Sequence, residues 1–237
     1  KNNSLLETYN QALNFSNDQA SFEINIEINS ELSKYSVKTY AINNGVATMI
    51  KQAEDIVCGD VFIVQGQSNA EAPSYNGSSS EYESDFIRVY ANGTYNSSSV
   101  INNNQWYYGQ GDGNSSTNGN TGQWGLVLAK KLVDELNIPI AIFNGGHGGQ
   151  PISFFQRPEN YVSSINSNYG KLYYRLNKSG LTSYVRGVLW SQGEADAFSG
   201  GLSTDAYKNA FENLVSFWQE DYPSIEQYYI FQTRDCD

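Results

Sequence analysis

Gly59-Asp60-Val61-Phe62-Ile63-Val64-Gln65-Gly66-Gln67-Ser68-Asn69-Ala70 is a short apolar run that meets a glycine, then a serine, then a stretch compatible with a helix start. An unbroken apolar run of this length is expected of a strand buried on both faces, the environment of a parallel sheet. Four further runs follow it: Phe86 to Tyr90, Pro139 to Phe143, Val185 to Trp190 and Tyr228 to Gln232. Helical patterns lie between them. Trp124, Val127, Leu128, Leu132 and Leu136 recur at helical spacing, as do Tyr207, Ala210, Phe211, Leu214, Val215 and Trp218 after the cap candidates Ser203 and Thr204. Strands alternating with helices predict an α/β fold, here a three-layer α/β/α sandwich with a five-stranded parallel sheet and both helices packed on it.

Upstream of this run the pattern changes. Phe22, Ile24, Ile26 and Ile28 alternate with polar neighbours, Tyr35, Val37, Thr39 and Ala41 continue the period of two, and Asn43-Asn44-Gly45 supplies a hairpin turn before Val46 to Ile50. Residues 1–57 therefore read as a small antiparallel β segment belonging to a larger accessory module, with an α/β domain over 58–237. Other domains of a larger parent protein are expected. Between Tyr90 and Gln123 the chain is dense in Asn, Gly and Ser without periodicity, and reads as a long loop, either a solvated insertion or one facing substrate. Its Gly109-Gln110-Gly111-Asp112-Gly113 neither follows a strand nor opens a helix, so it is no dinucleotide site.

Fourteen Lys and Arg against 25 Asp and Glu give a net charge of −11. That balance repels the phosphates on which nucleic-acid and anionic-membrane affinity depend, so neither partner is expected. The longest apolar runs, Ile138 to Phe143 and Val185 to Trp190, are far shorter than the ~20 residues that span a bilayer, so no membrane insertion is expected. Cys58 and Cys236 are too few and too distant for a metal site or disulfide framework, and read as two buried thiols or a single bridge. No metal or cofactor is implied. No basic, apolar leader opens the chain at Lys1, so an export signal is either removed or outside this sequence. Asn2, Asn14, Asn76, Asn92, Asn96, Asn114 and Asn177 begin Asn-x-Ser/Thr triplets, which an Asn- and Ser-rich chain produces by chance. Few Lys, few Cys and abundant Asn, Ser and Tyr suggest a secreted, cell-surface or periplasmic bacterial protein.

A strand-to-helix turn presents the Ser68 hydroxyl at the carboxyl end of the sheet, where open α/β folds bind ligands. The G-x-S-x-G elbow of the α/β-hydrolases is absent, and a serine in this position serves either as a helix cap or as a nucleophile. Two later segments bear on that choice: Phe143-Asn144-Gly145-Gly146-His147-Gly148-Gly149-Gln150-Pro151-Ile152 and Leu189-Trp190-Ser191-Gln192-Gly193-Glu194-Ala195-Asp196. With Gly59-Asp60-Val61 and Gly66-Gln67-Ser68-Asn69, they resemble, in order, the serine block, the glycine-rich block and the Trp-x-Gln-Gly-Glu-x-Asp block of the SGNH hydrolase superfamily, in its sialate O-acetylesterase and carbohydrate esterase branch. Ile87-Arg88-Val89 and Trp124-Gly125 to Leu128 add smaller matches, and the resemblance spans residues 59 to about 232.

The resemblance implies a flavodoxin-like sheet and a serine esterase that removes acetyl or similar acyl groups from carbohydrate, with an acylated sugar as partner. It assigns Ser68 as nucleophile. It assigns the oxyanion hole to the Ser68 N–H, a backbone N–H of Gly148-Gly149 and the Gln192 amide, with Asn69, Glu194 and Asp196 supporting the site. Acyl transfer needs such a nucleophile and such donors, together with a base. The family takes its base from a carboxyl-terminal Asp-x-x-His, which is not present here, so the chain is expected to stop short of the domain's natural end. Asp235 and Asp237 have no histidine three residues on, and the single histidine, His147, reads as an alternative base or as part of the pocket wall. Glu194 and Asp196 read as structural rather than as a glycosidase pair, being two residues apart on one loop. The competing functional reading is an inactive module of the same fold that binds carbohydrate or mediates surface adhesion.

Overall fold

The computed structural model describes residues 4–73, 80–91, 96–113, 117–162, 164–198 and 201–233. Its contacts divide the chain into two units, Lys1–Cys58 and Gly59–Asp237. In the first unit, β1 (Tyr35–Asn43) and β2 (Val46–Ile56) pair antiparallel. Asn44 and Gly45 join them with φ of 49° and 79°, the left-handed pair that a two-residue hairpin turn requires. The alternating residues Phe22 to Ile28 form no strand, contrary to the sequence expectation. Alternation prepares an apolar face, but a strand also needs a neighbour to take its N–H and C=O groups, and β1 and β2 take each other's. Cys58 is a free thiol with its Sγ 3.3 Å from Ser30 Oγ. Cys236, Asp235 and Asp237, and the glycosylation candidates Asn2, Asn76, Asn92 and Asn114, lie outside the described residues.

The second unit is built on β3 (Asp60–Gly66), β4 (Ile87–Tyr90), β5 (Trp106–Tyr108), β6 (Ile140–Asn144), β7 (Val185–Ser191) and β8 (Gln227–Ile230), in the spatial order β5-β4-β6-β3-β7-β8. β3 lies between β6 and β7, parallel to both, with Ile63 opposite Phe143 and Val188. Both faces are covered. Ala141 and Phe143 of β6 and Val61 and Ile63 of β3 point into one core, while Ile140, Ile142 and Val64 point into the other. That is the period of two with no polar side left, which is why these strands read as continuous apolar runs.

The helices are α1 (Ser68–Glu71), α2 (Ser97–Asn102), α3 (Gln123–Leu136), α4 (Asn168–Lys178), α5 (Glu194–Ala197) and α6 (Thr204–Asp221). α3 covers one face of the sheet, and α4 and α6 the other. Ser203 caps α6, its Oγ accepting from Ala206 N at 3.2 Å, and Leu214 and Trp218 are fully buried. The buried face of α3 is centred on Gly125, Leu126, Ala129 and Val133, whereas Leu136 is 49% exposed. The large residues at helical spacing flank that face. Small Gly125 and Ala129 let the helix axis approach the sheet, which a count of large apolar residues cannot reveal.

Several elements were not expected. The stretch from Tyr90 to Gln123 carries α2, capped by the Asn96 side chain, and the edge strand β5, which pairs antiparallel to β4. The sheet thus has six strands, five of them parallel. Three aromatic residues are too short a run to show a period. α4 was not expected either, although Tyr169, Leu172, Tyr173 and Leu176 recur at helical spacing behind the Ser167 cap; Asn168, Lys171 and Arg175 share its buried face. Arg175 is fully buried and joins the ends of two strands, its Nε donating to Tyr90 O at 3.0 Å and Nη1 to Asn144 O at 2.8 Å.

Candidate active site

Ser68 follows the end of β3, where the chain must turn sharply away from the neighbouring strand. Gly66 takes φ 133°, and a Cβ there would stand 2.0 Å from Ser191 O. Only glycine fits such a position. Gln67 N donates to the same Ser191 oxygen at 3.0 Å and occupies the cap position of α1, so Ser68 is the first helical residue and not the cap. Its side chain is exposed. As the first residue of a helix, its N–H has no acceptor within the helix.

The glycine-rich segment arrives from β6 and is fastened to α1. His147 N donates to Gly66 O at 2.9 Å. The Asn144 side chain donates to Ala70 O, Glu71 O and Thr121 O at 3.0–3.3 Å and accepts from Gly146 N at 2.8 Å. Gly146 lies so close to Glu71 that a Cβ would come within 2.4 Å of Glu71 N. The Glu71 carboxylate, itself buried, accepts from Gly148 N at 2.9 Å. The Gly148 N–H is therefore turned to Glu71, and Gly149, exposed with φ 71°, is the member of the pair that borders solvent.

The third segment closes the arrangement from β7. Gln192 is buried; its Nε2 donates to Asp196 Oδ2 at 2.6 Å, Gln150 O at 3.1 Å and Gln67 Oε1 at 3.3 Å, and its Oε1 accepts from Tyr207 OH at 2.8 Å. That amide is committed to the protein, so as an oxyanion donor it would first have to give up partners. Gln67 Oε1 also accepts from Ala195 N, and Asp196 Oδ2 from Ile152 N at 2.7 Å. Asn69 Nδ2 donates to Glu194 Oε1 at 2.7 Å, and Asn69 O accepts from Trp124 Nε1 at 2.7 Å. Glu194 and Asp196 thus each hold a different neighbour, Glu194 through Oε1 alone, its buried Oε2 having no partner among the described residues. Gln67, Glu71, Asn144 and Tyr207 belong to this network although the sequence reading assigned them no part in the site. Gln67 and Asn144 stood inside the quoted blocks, whereas Tyr207 was hidden in an apolar helical stripe.

His147 lies beside this site with its ring 4.7 Å from that of Phe154. Burial lowers its pKa below the ordinary imidazole value, the Glu71 charge opposes that shift and the Lys171 charge adds to it. Among the described residues no group of three or more His, Cys, Asp or Glu is placed to hold a metal ion.

Residues 58–230 match the family described as carbohydrate esterase, sialic acid-specific acetylesterase. The chain belongs to this family. In fold, this carbohydrate esterase family member is similar to a carbohydrate acetylesterase from Xanthomonas citri, with a TM-score of 0.53 and 19% identity over 81% of this chain and 45% of that one. It therefore spans less than half of that protein. It is also similar to a protein from Arabidopsis thaliana, with a TM-score of 0.51 and 18% identity over 72% of each chain. No curated protein matches the family member in sequence.

Asp196 is the joint of this site whose loss has a calculable effect. Asp196→Ala strands the Gln192 amide and the Ile152 N–H in a buried setting, and is expected to destabilise the protein by about 2–3 kcal/mol in urea unfolding. Asp196→Asn, which keeps an acceptor oxygen, is expected to recover roughly half of that loss. Equal stability of Asp196→Ala and the parent would contradict the network described above.

Proposed function

We propose that this protein is a serine esterase that removes acetyl or similar acyl groups from carbohydrate, sialate or polysaccharide, through an acyl-enzyme at Ser68. The observation that carries this reading is the exposed, non-capping Ser68 at the carboxyl end of the central strand, with the glycine-rich and Gln-Gly-Glu segments fastened to the helix it begins. Ser68 Oγ attacks the ester carbonyl and its proton passes to a base. The Ser68 N–H and the Gly149 N–H are the donors best placed for the developing oxyanion, since the Gly148 N–H and the Gln192 amide are engaged within the protein. Collapse breaks the carbonyl–alkoxy bond, the sugar hydroxyl leaves with a proton, and water then hydrolyses the acyl-Ser68 ester to free acid. We assign His147, packed on Phe154, to the wall of the site, and expect the base to come from an Asp-x-x-His motif of the kind the family uses. An acetylated sugar is the substrate and the extracytoplasmic space the place of action.

The test is acetate release from O-acetylated sugars by the intact protein, followed enzymatically at neutral pH. The expected result is turnover of acetylated sugar that Ser68→Ala removes. Turnover unaffected by Ser68→Ala would overturn the assignment of the nucleophile, and absence of release from any acetylated sugar or aryl acetate would overturn the esterase reading.

A further inference from the structure

Two cations of α4 face inward, one turn apart. Arg175 is held by the carbonyls of Tyr90 and Asn144. Lys171 is different. It is 7% exposed, and among the described residues no hydrogen bond or ion pair reaches its ammonium. Lysine is almost never buried without a partner, because its stem can usually carry the charge out to water. Burial lowers its pKa, and no carboxylate opposes that shift.

Its place is next to the site. Asn168, three residues earlier on the same helix, donates to Gly145 O at 2.9 Å and accepts from Gln65 Nε2 at 2.9 Å, and the Leu172 side chain packs where a Cβ of Gly145 would come within 3.3 Å. The start of α4 is thereby fixed against the loop that carries His147, Gly148 and Gly149. The Lys171 charge is felt by His147, so the two side chains share one neighbourhood. The carboxylates around the site have donors of their own: Glu71 has Gly148 N, Asp196 has Gln192 and Ile152 N, and Glu194 has Asn69 on Oε1, its buried Oε2 having no partner among the described residues. In a chain of net charge −11, an ammonium kept without a counter-ion beside the site is complementary to an anion brought by the ligand.

We propose that Lys171 is a specificity-determining residue that receives the carboxylate of an acidic sugar while that sugar's ester is presented to Ser68. The inference rests on the esterase reading. A single ammonium matches one negative charge; a phosphate or sulfate ester would call for a fork of donors, and the neighbouring guanidinium gives Nε and Nη1 to backbone carbonyls, leaving Nη2 alone without a partner among the described residues. The carboxylate of a sialic acid and that of a uronic acid share this chemistry.

The experiment is calorimetric titration of the intact protein with N-acetylneuraminic acid and with its methyl ester, in which the charge is removed and the sugar kept, and the same with glucuronic acid and its methyl ester. At least one acid is expected to bind about 10-fold more tightly than its methyl ester, and that acid identifies the source. Lys171→Met is expected to bring the ratio to about one, and Lys171→Arg to restore part of it. A merely structural role would weaken acid and ester alike and leave the ratio standing. No preference for either acid in the parent protein, or a preference that survives in Lys171→Met, overturns the proposal. Hydrolysis of 4-nitrophenyl acetate by the parent protein is measured alongside. Its absence, with a Lys171-dependent preference for acid intact, sinks the esterase reading and leaves a carboxylate-binding site.

Discussion

Ser68→Ala is expected to lower hydrolysis of 4-nitrophenyl acetate by the intact protein by a factor on the order of 10⁴ or more, the range seen when a serine hydrolase loses its nucleophile. Stability should change by less than about 0.5 kcal/mol, because Ser68 is exposed and the cap position of α1 belongs to Gln67. The combination discriminates. A serine that served as a cap would cost about 1 kcal/mol on substitution and leave activity alone. An exposed nucleophile does the reverse. Residual activity above a tenth of the parent's, with the melting temperature unmoved, would show that the hydroxyl takes no part in bond cleavage.

Gly66→Ala is expected to have the largest structural effect of any single methyl group added near the site. The new Cβ meets the Ser191 carbonyl at 2.0 Å, a backbone atom that cannot rotate away, and φ of 133° is strained for any residue with a side chain. Relief requires β3 and β7 to separate at their carboxyl ends, which breaks the Gln67 N to Ser191 O bond and moves Ser68 relative to both other segments. A loss of about 3 kcal/mol or more is expected. For a unit of this size that corresponds to a melting temperature lower by roughly 6–12 °C. Gly180→Ala provides the comparison, since Gly180 has φ 76° but nothing within 4 Å of a Cβ. Only the backbone term applies there, and about 1 kcal/mol is expected. Similar melting temperatures for the two variants would mean that the close approach at Gly66 relaxes without cost.

Much of the fold was visible before any coordinates, because burial on both faces leaves the central strands β3, β6 and β7 mostly apolar, while the largely exposed edge strand β8 was visible from its own Tyr-Tyr-Ile run. The runs beginning near Val61, Phe86, Pro139, Val185 and Tyr228 became β3, β4, β6, β7 and β8, each within a residue or two. The exceptions have physical causes. β5 is a three-residue edge strand whose pairing depends on β4 rather than on its own pattern, and the Phe22 to Ile28 alternation found no neighbour to pair with. α4 carries an apolar stripe of its own, Tyr169, Leu172, Tyr173 and Leu176, but the polar residues Asn168, Lys171 and Arg175 interleaved with it masked the period.

The candidate site divides along the same line. The resemblance to the family's ordered blocks singled out Ser68, the glycine-rich loop and the Gln192 to Asp196 turn as candidate segments, and the apolar run before Ser68 put the first of them after a parallel strand. Which N–H groups and amides are engaged within the protein was decided by contacts between segments more than 70 residues apart: Glu71 with Gly148, Gln67 with Gln192, Asn69 with Glu194. A hydrogen bond made by one partner is withdrawn from every other use, and a linear chain does not say which partner arrives first. Lys171 belongs wholly to that second kind of knowledge. In the sequence it is one lysine in a Tyr- and Leu-rich stretch, and only the packing of α4 against the β6 loop buries its side chain and leaves its ammonium without a protein partner among the described residues.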